Sequence, residues 1–153
     1  MPNLELKIPP PVLLIATGAL MWLTAKATPT LAFAFSHQTS ISGVIAVAGV
    51  VAAFSGSWVM RRARTTRNPT KPQNASALVV SGIYRFTRNP MYLGLVLVLT
   101  AWGLYLSKWL PLLFLPAFVA YLTRFQIVPE ERVLAAKFGG QFAAYRSRVR
   151  RWC

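Results

Sequence analysis

The sequence predicts an all-α integral membrane protein with four transmembrane helices and C-terminal helices at the cytoplasmic membrane surface. Of the 153 residues, 55% are hydrophobic and only 13% are charged, whereas soluble domains carry charge on about a quarter of their residues. The mean hydropathy is +0.46. Four apolar runs are long enough to cross a hydrocarbon core, which needs roughly twenty helical residues. These runs are about 11–28, 41–60, 90–107 and 109–128, and with the helices at about 129–152 they form one domain over residues 1–153.

Basic residues are distributed unevenly among the connections. The second connection, which includes Arg67, and the tail contain most of the seventeen Lys and Arg residues, whereas residues 29–40 contain none. Because Lys and Arg accumulate in cytoplasmic loops, we expect the second connection and both termini to be cytoplasmic. The Arg-rich composition points weakly to a bacterial inner membrane. The aromatic residues expected near the opposite interface are Trp22, Trp102, Tyr105 and Trp109.

The net charge of +14 could indicate either nucleic-acid binding or a membrane surface. The charges flank the predicted spans, and the sequence contains no nucleic-acid-binding motif. Anionic head groups attract a juxtamembrane basic residue by about 1 kcal/mol each. We therefore expect lipid, and not nucleic acid, as the partner of these charges.

The second apolar run carries small residues on one helix face, at Ala46, Gly49, Ala53 and Gly56. Such a face lets another helix approach closely, either within the chain or across a dimer. We favour packing within the chain, because a four-helix protein must bury its own polar site.

Turn and breaker residues organise the second half of the chain. A short turn at Ser107-Lys108 predicts an antiparallel hairpin of the last two spans. Past Val128 we expect a new helix, because Pro129 suits a first helical position. Gly139-Gly140 should bend this helix back over the membrane face, where it could act as a lid.

The ends of the chain allow two further inferences. An apolar run followed by Ala25-Lys26-Ala27 imitates a cleavable signal, but we favour a retained first helix. The single cysteine, Cys153, excludes an intramolecular disulfide within this sequence.

Acidic residues are scarce enough for their positions to be informative. The chain has no aspartate and three glutamates, Glu5, Glu130 and Glu131. The adjacent pair could simply complement a helix N-terminus and the Arg-rich loop. Equally, a carboxylate at the interface could recognise a cationic or polyhydroxyl ligand.

The stretch before the third span is also ambiguous residue by residue. Asn89 could cap the helix that Pro90 begins, and Tyr84 and Tyr92 could be ordinary interfacial aromatics. No His, Cys and Asp cluster suits a metal, and no Ser/His/Asp set or phosphate-binding Gly-rich loop is present, so we expect no metal.

Five motifs follow one another along the second half of the chain: Gly82-Ile83-Tyr84-Arg85, Arg88-Asn89-Pro90-Met91-Tyr92-Leu93-Gly94, Pro129-Glu130-Glu131-Arg132-Val133-Leu134, Phe138-Gly139 and Tyr145-Arg146-Ser147-Arg148-Val149-Arg150-Arg151. In combination, these motifs resemble the isoprenylcysteine carboxyl methyltransferase family of membrane enzymes. The wider group includes phospholipid methyltransferases and, more remotely, membrane sterol reductases. The resemblance covers roughly residues 78–152.

The resemblance implies an S-adenosylmethionine site under a cytoplasmic cover and a lipophilic acceptor that enters between helices. The implied cofactor-binding residues are Tyr84, Arg88, Asn89, Pro90, Tyr92, Leu93, Glu130, Glu131 and Tyr145. The implied substrate-binding residues are Arg124, Gln126 and Arg148, and the implied catalytic residues are Glu130 and Arg148. Two positions depart from the family pattern: Asn89 stands where histidine is usual, and Gln126 stands where eukaryotic relatives have arginine. Asparagine exchanges hydrogen bonds but does not titrate.

The functional hypothesis is therefore methyl transfer from S-adenosylmethionine to an isoprenylcysteine-like carboxylate or another lipid or isoprenoid. In this hypothesis Glu130, Glu131 and Tyr92 hold the donor, and Arg148 orients an acidic acceptor. Arg124 could instead extend to lipid head groups. Two rivals are an NADPH-dependent sterol-type reductase and a non-enzymatic module that binds anionic lipid.

Overall fold

Helices make up the regular structure of the residues that the computed structural model describes, 4–66 and 71–152. Arg67 and Cys153 lie outside the described residues. The α-helices are α1 (Pro10–Ala27), α2 (Gln38–Arg62), α3 (Pro90–Leu106), α4 (Trp109–Leu112), α5 (Phe114–Leu122) and α6 (Val128–Arg148). Two 3₁₀ turns span Pro72–Asn74 and Gly82–Arg85, and a π-helical segment spans Thr123–Ile127. The predicted all-α class is confirmed for the described chain, in which Ala32 and Lys108 form an isolated β-bridge.

Within residues 4–66 and 71–152, three helical segments are long and apolar enough to cross a membrane. They are α1, α2 and the continuous helical run Trp109–Arg148, which has 40 residues. The third predicted span corresponds to α3, a shorter apolar helix of 17 residues. As expected, the chain turns after α3: the helix ends at Leu106, and Ser107 has a left-handed backbone conformation at the turn into α4.

The small-residue face of α2 packs against α3 in the same chain, as predicted. A Cβ atom built on Gly49 would lie 2.7 Å from the carbonyl oxygen of Gly94, and one built on Gly94 would lie 2.7 Å from Ala53 Cβ. Gly56 similarly lies against Pro90 and Met91. The two backbones therefore approach closely because both helices have small residues at the contact.

The first helix is an integral part of the core. Met21 is fully buried in a cluster with Tyr92, Leu99 and Leu122. The indole Nε1 of Trp102 donates a hydrogen bond of 3.0 Å to the Gly18 carbonyl. These contacts give α1 a place in the packing, and its retention stays a prediction.

The expectation of a new helix at Pro129 was wrong in one respect, because the helix continues into α6 through the π-helical segment. Proline has no N–H to donate to the carbonyl four residues earlier, which belongs to Phe125. That carbonyl instead accepts a hydrogen bond of 2.9 Å from Leu6 N. The N-terminal segment thus supplies the donor that proline removes.

The glycine break in α6 occurs as predicted. Gly139 has a non-helical backbone, with φ +47° and ψ −120°, and divides α6 into two parts. The second part buries Phe142 and Tyr145 against Val79 and Tyr84 in a second hydrophobic cluster. This cluster lies beside the start of α3, so the bend brings the tail to the residues that precede that helix.

Candidate functional site

The two polar stretches separated by the apolar hairpin meet in space. The Tyr92 hydroxyl, in the first turn of α3, donates a hydrogen bond of 3.0 Å to Glu130 Oε2 in the first turn of α6. Arg88 Nη2 lies 3.1 Å from Glu131 Oε1. Asn89 and Glu130 line the same cavity. The two stretches therefore contribute to one cavity.

The start of α3 is fixed by the tail and not by a side-chain cap. Pro90 occupies the first turn, where its missing N–H costs nothing. Asn89 holds the cap position but makes no capping hydrogen bond with its side chain. Its Nδ2 instead donates to the Arg151 carbonyl at 2.9 Å. The capping interpretation of Asn89 thus gives way to a contact with the C-terminal tail.

Glu130 is the glutamate that faces the cavity with its charge uncompensated, since it forms no ion pair among the described residues. Burial raises its pKa to about 7; the Tyr92 hydrogen bond acts in the opposite direction, and the neighbouring Glu131 charge raises it further. A carboxylate with this pKa changes its charge near neutral pH. It can accept hydrogen bonds from a ligand or attract a ligand's cationic group.

Glu131 has the structural role that the sequence left open for both glutamates. Arg151 binds it in a bidentate manner, with Nη2–Oε2 and Nε–Oε1 distances of 2.7 and 3.1 Å. Arg88 forms the second ion pair, and the side chains of Arg88 and Glu131 are only 9% and 13% exposed. The adjacent carboxylates therefore differ in environment: one is neutralised by two guanidinium groups and the other is available.

Arg88 has hydrogen-bonding capacity left after pairing with Glu131. Its Nε and Nη1 atoms are buried and have no hydrogen-bond partner within residues 4–66 and 71–152. Burial lowers its pKa from the usual value, while Glu131 acts to raise it. Because buried guanidinium donors are normally satisfied, these two N–H groups indicate a place for an anionic or carbonyl ligand atom.

Two tyrosines complete the polar end of the cavity. The Tyr145 hydroxyl donates a hydrogen bond of 2.7 Å to the Tyr84 carbonyl and so joins the second part of α6 to the 3₁₀ turn before α3. Burial raises the pKa of Tyr145 to about 12 and the pKa of Tyr84 well above its usual value. Both hydroxyls stay protonated near neutral pH, so they can position a ligand but do not act as bases.

The cavity has a volume of about 400 Å³, within the range of small-molecule sites. The rest of the lining comes mainly from α2, α3 and the connection between them and is mostly apolar, with Ser57, Thr65 and Thr66 as its polar members. Phe54, at this apolar side, is 73% exposed and marks the outer face of α2. The apolar wall residues include Ala53, Phe54, Met60, Ala75, Leu78, Val79, Met91 and Leu95.

The structure gathers most of the predicted site residues around this cavity. The predicted residues in its wall are Tyr84, Arg88, Asn89, Pro90, Tyr92, Glu130, Glu131 and Tyr145. It does not bring Leu93, Arg124, Gln126 or Arg148 into the wall. Gln126 is fully buried and donates a 2.7 Å hydrogen bond to the Ile8 carbonyl, whereas Arg148 is exposed and donates to the Ala144 carbonyl at 3.1 Å.

Sequence reasoning missed several contributors to the site. Pro10 and Pro11 line the cavity from the start of α1, and Ser57 lines it from α2. Arg151 fixes Glu131 although it lies 20 residues away. It belongs to the arginine-rich tail and to the last motif of the resemblance, but neither assigned it a role. Within the described residues there is no group of three His, Cys, Asp or Glu side chains that could hold a metal ion.

Comparison with known proteins identifies the family. The model of the phospholipid methyltransferase family matches residues 38–141, more than half of the chain. An uncharacterized protein of Haemophilus influenzae is 44% identical over 62 residues, which represent 40% of this chain and 98% of that protein. No solved structure matches the chain. The matched region runs from the start of α2 past Glu130 and Glu131. The protein therefore belongs to the phospholipid methyltransferase family, and this membership implies methyltransferase activity in a membrane protein.

Proposed function

We propose that the protein transfers a methyl group from S-adenosylmethionine to a lipophilic acceptor at the cytoplasmic face of the membrane. The observation that carries this proposal is the two-part cavity. One part has an uncompensated carboxylate and unpartnered guanidinium N–H groups, and the rest of the lining is mostly apolar. A zwitterionic nucleoside fits the first part, and a lipid fits the second.

The polar end fits the donor group by group. Glu130 can bind its ammonium group or its ribose hydroxyls, and the free Arg88 N–H groups can bind its carboxylate. The rings of Tyr84 and Tyr145 add aromatic surface beside these groups. When bound, S-adenosylmethionine supplies a methyl group already activated for in-line displacement.

The apolar end supports a lipophilic acceptor, either an isoprenylcysteine-like carboxylate or another lipid or isoprenoid. Phe54, Met91 and Leu95 form a wall that a hydrocarbon chain can cover, and burial of apolar area contributes about 25 cal/mol per Å². Exposure of Phe54 on the outer face of α2 favours entry from the lipid side.

Methyl transfer requires little from the protein beyond orientation and exclusion of water. In this proposal Tyr92 holds Glu130 in place, and Glu131 holds Arg88. The bend at Gly139 keeps Phe142 and Tyr145 over the site. The chain thus positions the donor and covers it.

The proposal includes a membrane arrangement. We assign four crossings, through α1, α2, α3 and the part of the long helical run that ends near Val128. Both termini are then cytoplasmic, in agreement with the basic second connection and tail. In support of this arrangement, one cavity is lined by Pro10 of α1, Ser57 of α2, Pro90 of α3 and Glu130, which lies two residues past Val128.

Titration of the purified protein in nanodiscs with S-adenosylhomocysteine and with NADPH tests the donor class. We expect saturable binding of S-adenosylhomocysteine, with Glu130→Gln weakening it at least about tenfold and Glu5→Gln, the matched control away from the cavity, leaving it unchanged. Binding of NADPH alone would instead support a reductase, and binding of neither would contradict both enzyme proposals. Incubating membranes with methyl-labelled donor and analysing the labelled product then identifies the acceptor.

A further inference from the structure

The C-terminal tail runs back along the residues that precede α3. Arg88 N donates to the Arg150 carbonyl at 3.0 Å. The Arg151 carbonyl accepts hydrogen bonds from Asn89 Nδ2 at 2.9 Å and from Thr87 Oγ1 at 3.3 Å. The tail backbone therefore binds three consecutive residues at the entrance to α3. It lies beyond residue 141, where the family match ends.

The side chain of Arg151 extends from this tail to α6. Its bidentate contact with Glu131 joins the tail to the first turn of that helix. The hydrogen bond with Glu131 raises the pKa of Arg151, which keeps this guanidinium charged. Trp152, the next residue, packs against the core cluster that contains Tyr92. A single residue thus connects the two stretches that form the polar end of the cavity.

The same contact has an electrostatic consequence for Glu130. The groups around Glu130 are Tyr92 from α3, Tyr84 from the 3₁₀ turn, Tyr145 from the second part of α6, and Glu131 with its two partners, Arg88 and Arg151. Removing Arg151 would leave Glu131 with one cation in place of two. The stronger negative field would then favour the protonated form of Glu130.

We propose that Arg151 is a positioning residue of the donor site: by holding Glu131 and the Asn89 side chain, it leaves Glu130 and the free N–H groups of Arg88 directed at the ligand. This inference rests on the proposed function. Arg151 itself need not touch the donor. Its effect is transmitted through Glu131 and through the fixed entrance to α3.

The test compares Arg151→Gln with Arg150→Gln, an exposed neighbour as matched control, by titration with S-adenosylhomocysteine from pH 5.5 to 8.5. For Arg151→Gln we expect about tenfold weaker binding, and we expect the pH at which affinity is half-maximal, the pH midpoint, to be higher than in the wild type. Arg150→Gln should match the wild type in affinity and in pH midpoint. The pH displacement separates positioning from a general loss of structure. Arg151→Lys keeps the charge without the bidentate geometry, so it should restore the midpoint and only part of the affinity.

The outcomes separate the two proposals. If the wild type binds S-adenosylhomocysteine and Arg151→Gln has the same affinity and midpoint, the inference is overturned and the proposed function stands. If the wild type binds none, the proposed function fails. Should Arg151→Gln not be recovered in folded form, the pair Arg151→Lys and Arg150→Lys replaces it, and equal affinities of those two would overturn the inference.

Discussion

The hydroxyl of Tyr92 lies 3.0 Å from Oε2 of Glu130 and joins the first turn of α3 to the first turn of α6. The two residues are 38 positions apart in the sequence, and the intervening chain is the apolar hairpin. One hydrogen bond therefore orients the available carboxylate of the cavity. It also lowers the pKa of that carboxylate, against the larger effect of burial.

Replacing Tyr92 with Phe should weaken donor binding most strongly below neutral pH. Without the hydroxyl the carboxylate loses a donor that favours its charged form, so the pKa of Glu130 should rise above about 7. Affinity for S-adenosylhomocysteine should recover at pH 8.5 and above. Tyr105→Phe, an exposed position at the far end of α3, is the matched control. An unchanged pH midpoint in Tyr92→Phe would contradict this role.

Donor binding to the wild type should increase as the pH rises through about 7. Glu130 is protonated below this pH, and a protonated carboxyl attracts neither an ammonium group nor a hydroxyl donor as strongly. Below the midpoint we expect a loss of up to about tenfold in affinity per pH unit. Isothermal titration calorimetry at several pH values measures this loss of affinity. Glu130→Gln should show a flat profile over the same range, and a profile as steep as that of the wild type would assign the titration to another group.

The same carboxyl should make the ligand-free protein less stable at alkaline pH. The pKa of Glu130 is 4.5 in the unfolded reference and about 7 in the folded protein. Between these two pH values the folded state therefore keeps a proton that the unfolded state has lost. The stabilising contribution is therefore present below about pH 4.5 and lost as the pH rises through 7. Thermal unfolding should show Glu130→Gln a few degrees more stable than the wild type at pH 8, with a smaller difference at pH 5. A difference that is constant with pH would contradict the assignment.

Adding one methyl group to the contact between α2 and α3 should destabilise the protein. The new Cβ of Gly49→Ala would lie 2.7 Å from the Gly94 carbonyl oxygen and 2.9 Å from Leu97 Cβ, so the helices must separate. Overpacking of this kind costs about 1–3 kcal/mol. Gly43→Ala is the matched control, because it lies on the same helix and its Cβ would meet nothing within 4 Å. Thermal unfolding of the two variants in the same detergent checks the difference, and equal stabilities would refute close packing at Gly49.

Local sequence patterns were sufficient to predict the helices and the positions of several helix ends. The apolar runs, the turn at Ser107 and the break at Gly139 follow from chain-local physics: apolar length, short-turn geometry and the conformational freedom of glycine. The small face of α2 was likewise visible as a spacing of three and four residues. The resemblance then pointed to the charged residues and the tyrosines that line the cavity.

The sequence by itself determined that this chain is helical and apolar, and that an apolar hairpin separates two polar stretches. Only the tertiary structure decided how Glu130 and Glu131 divide their roles, because a chain with twelve arginines offers each carboxylate many equivalent partners. Arg151 and Arg88 reach Glu131, and Tyr92 reaches Glu130, since the fold places those groups there. Long-range ion pairing depends on distances in the folded chain, which residue spacing along the sequence does not specify.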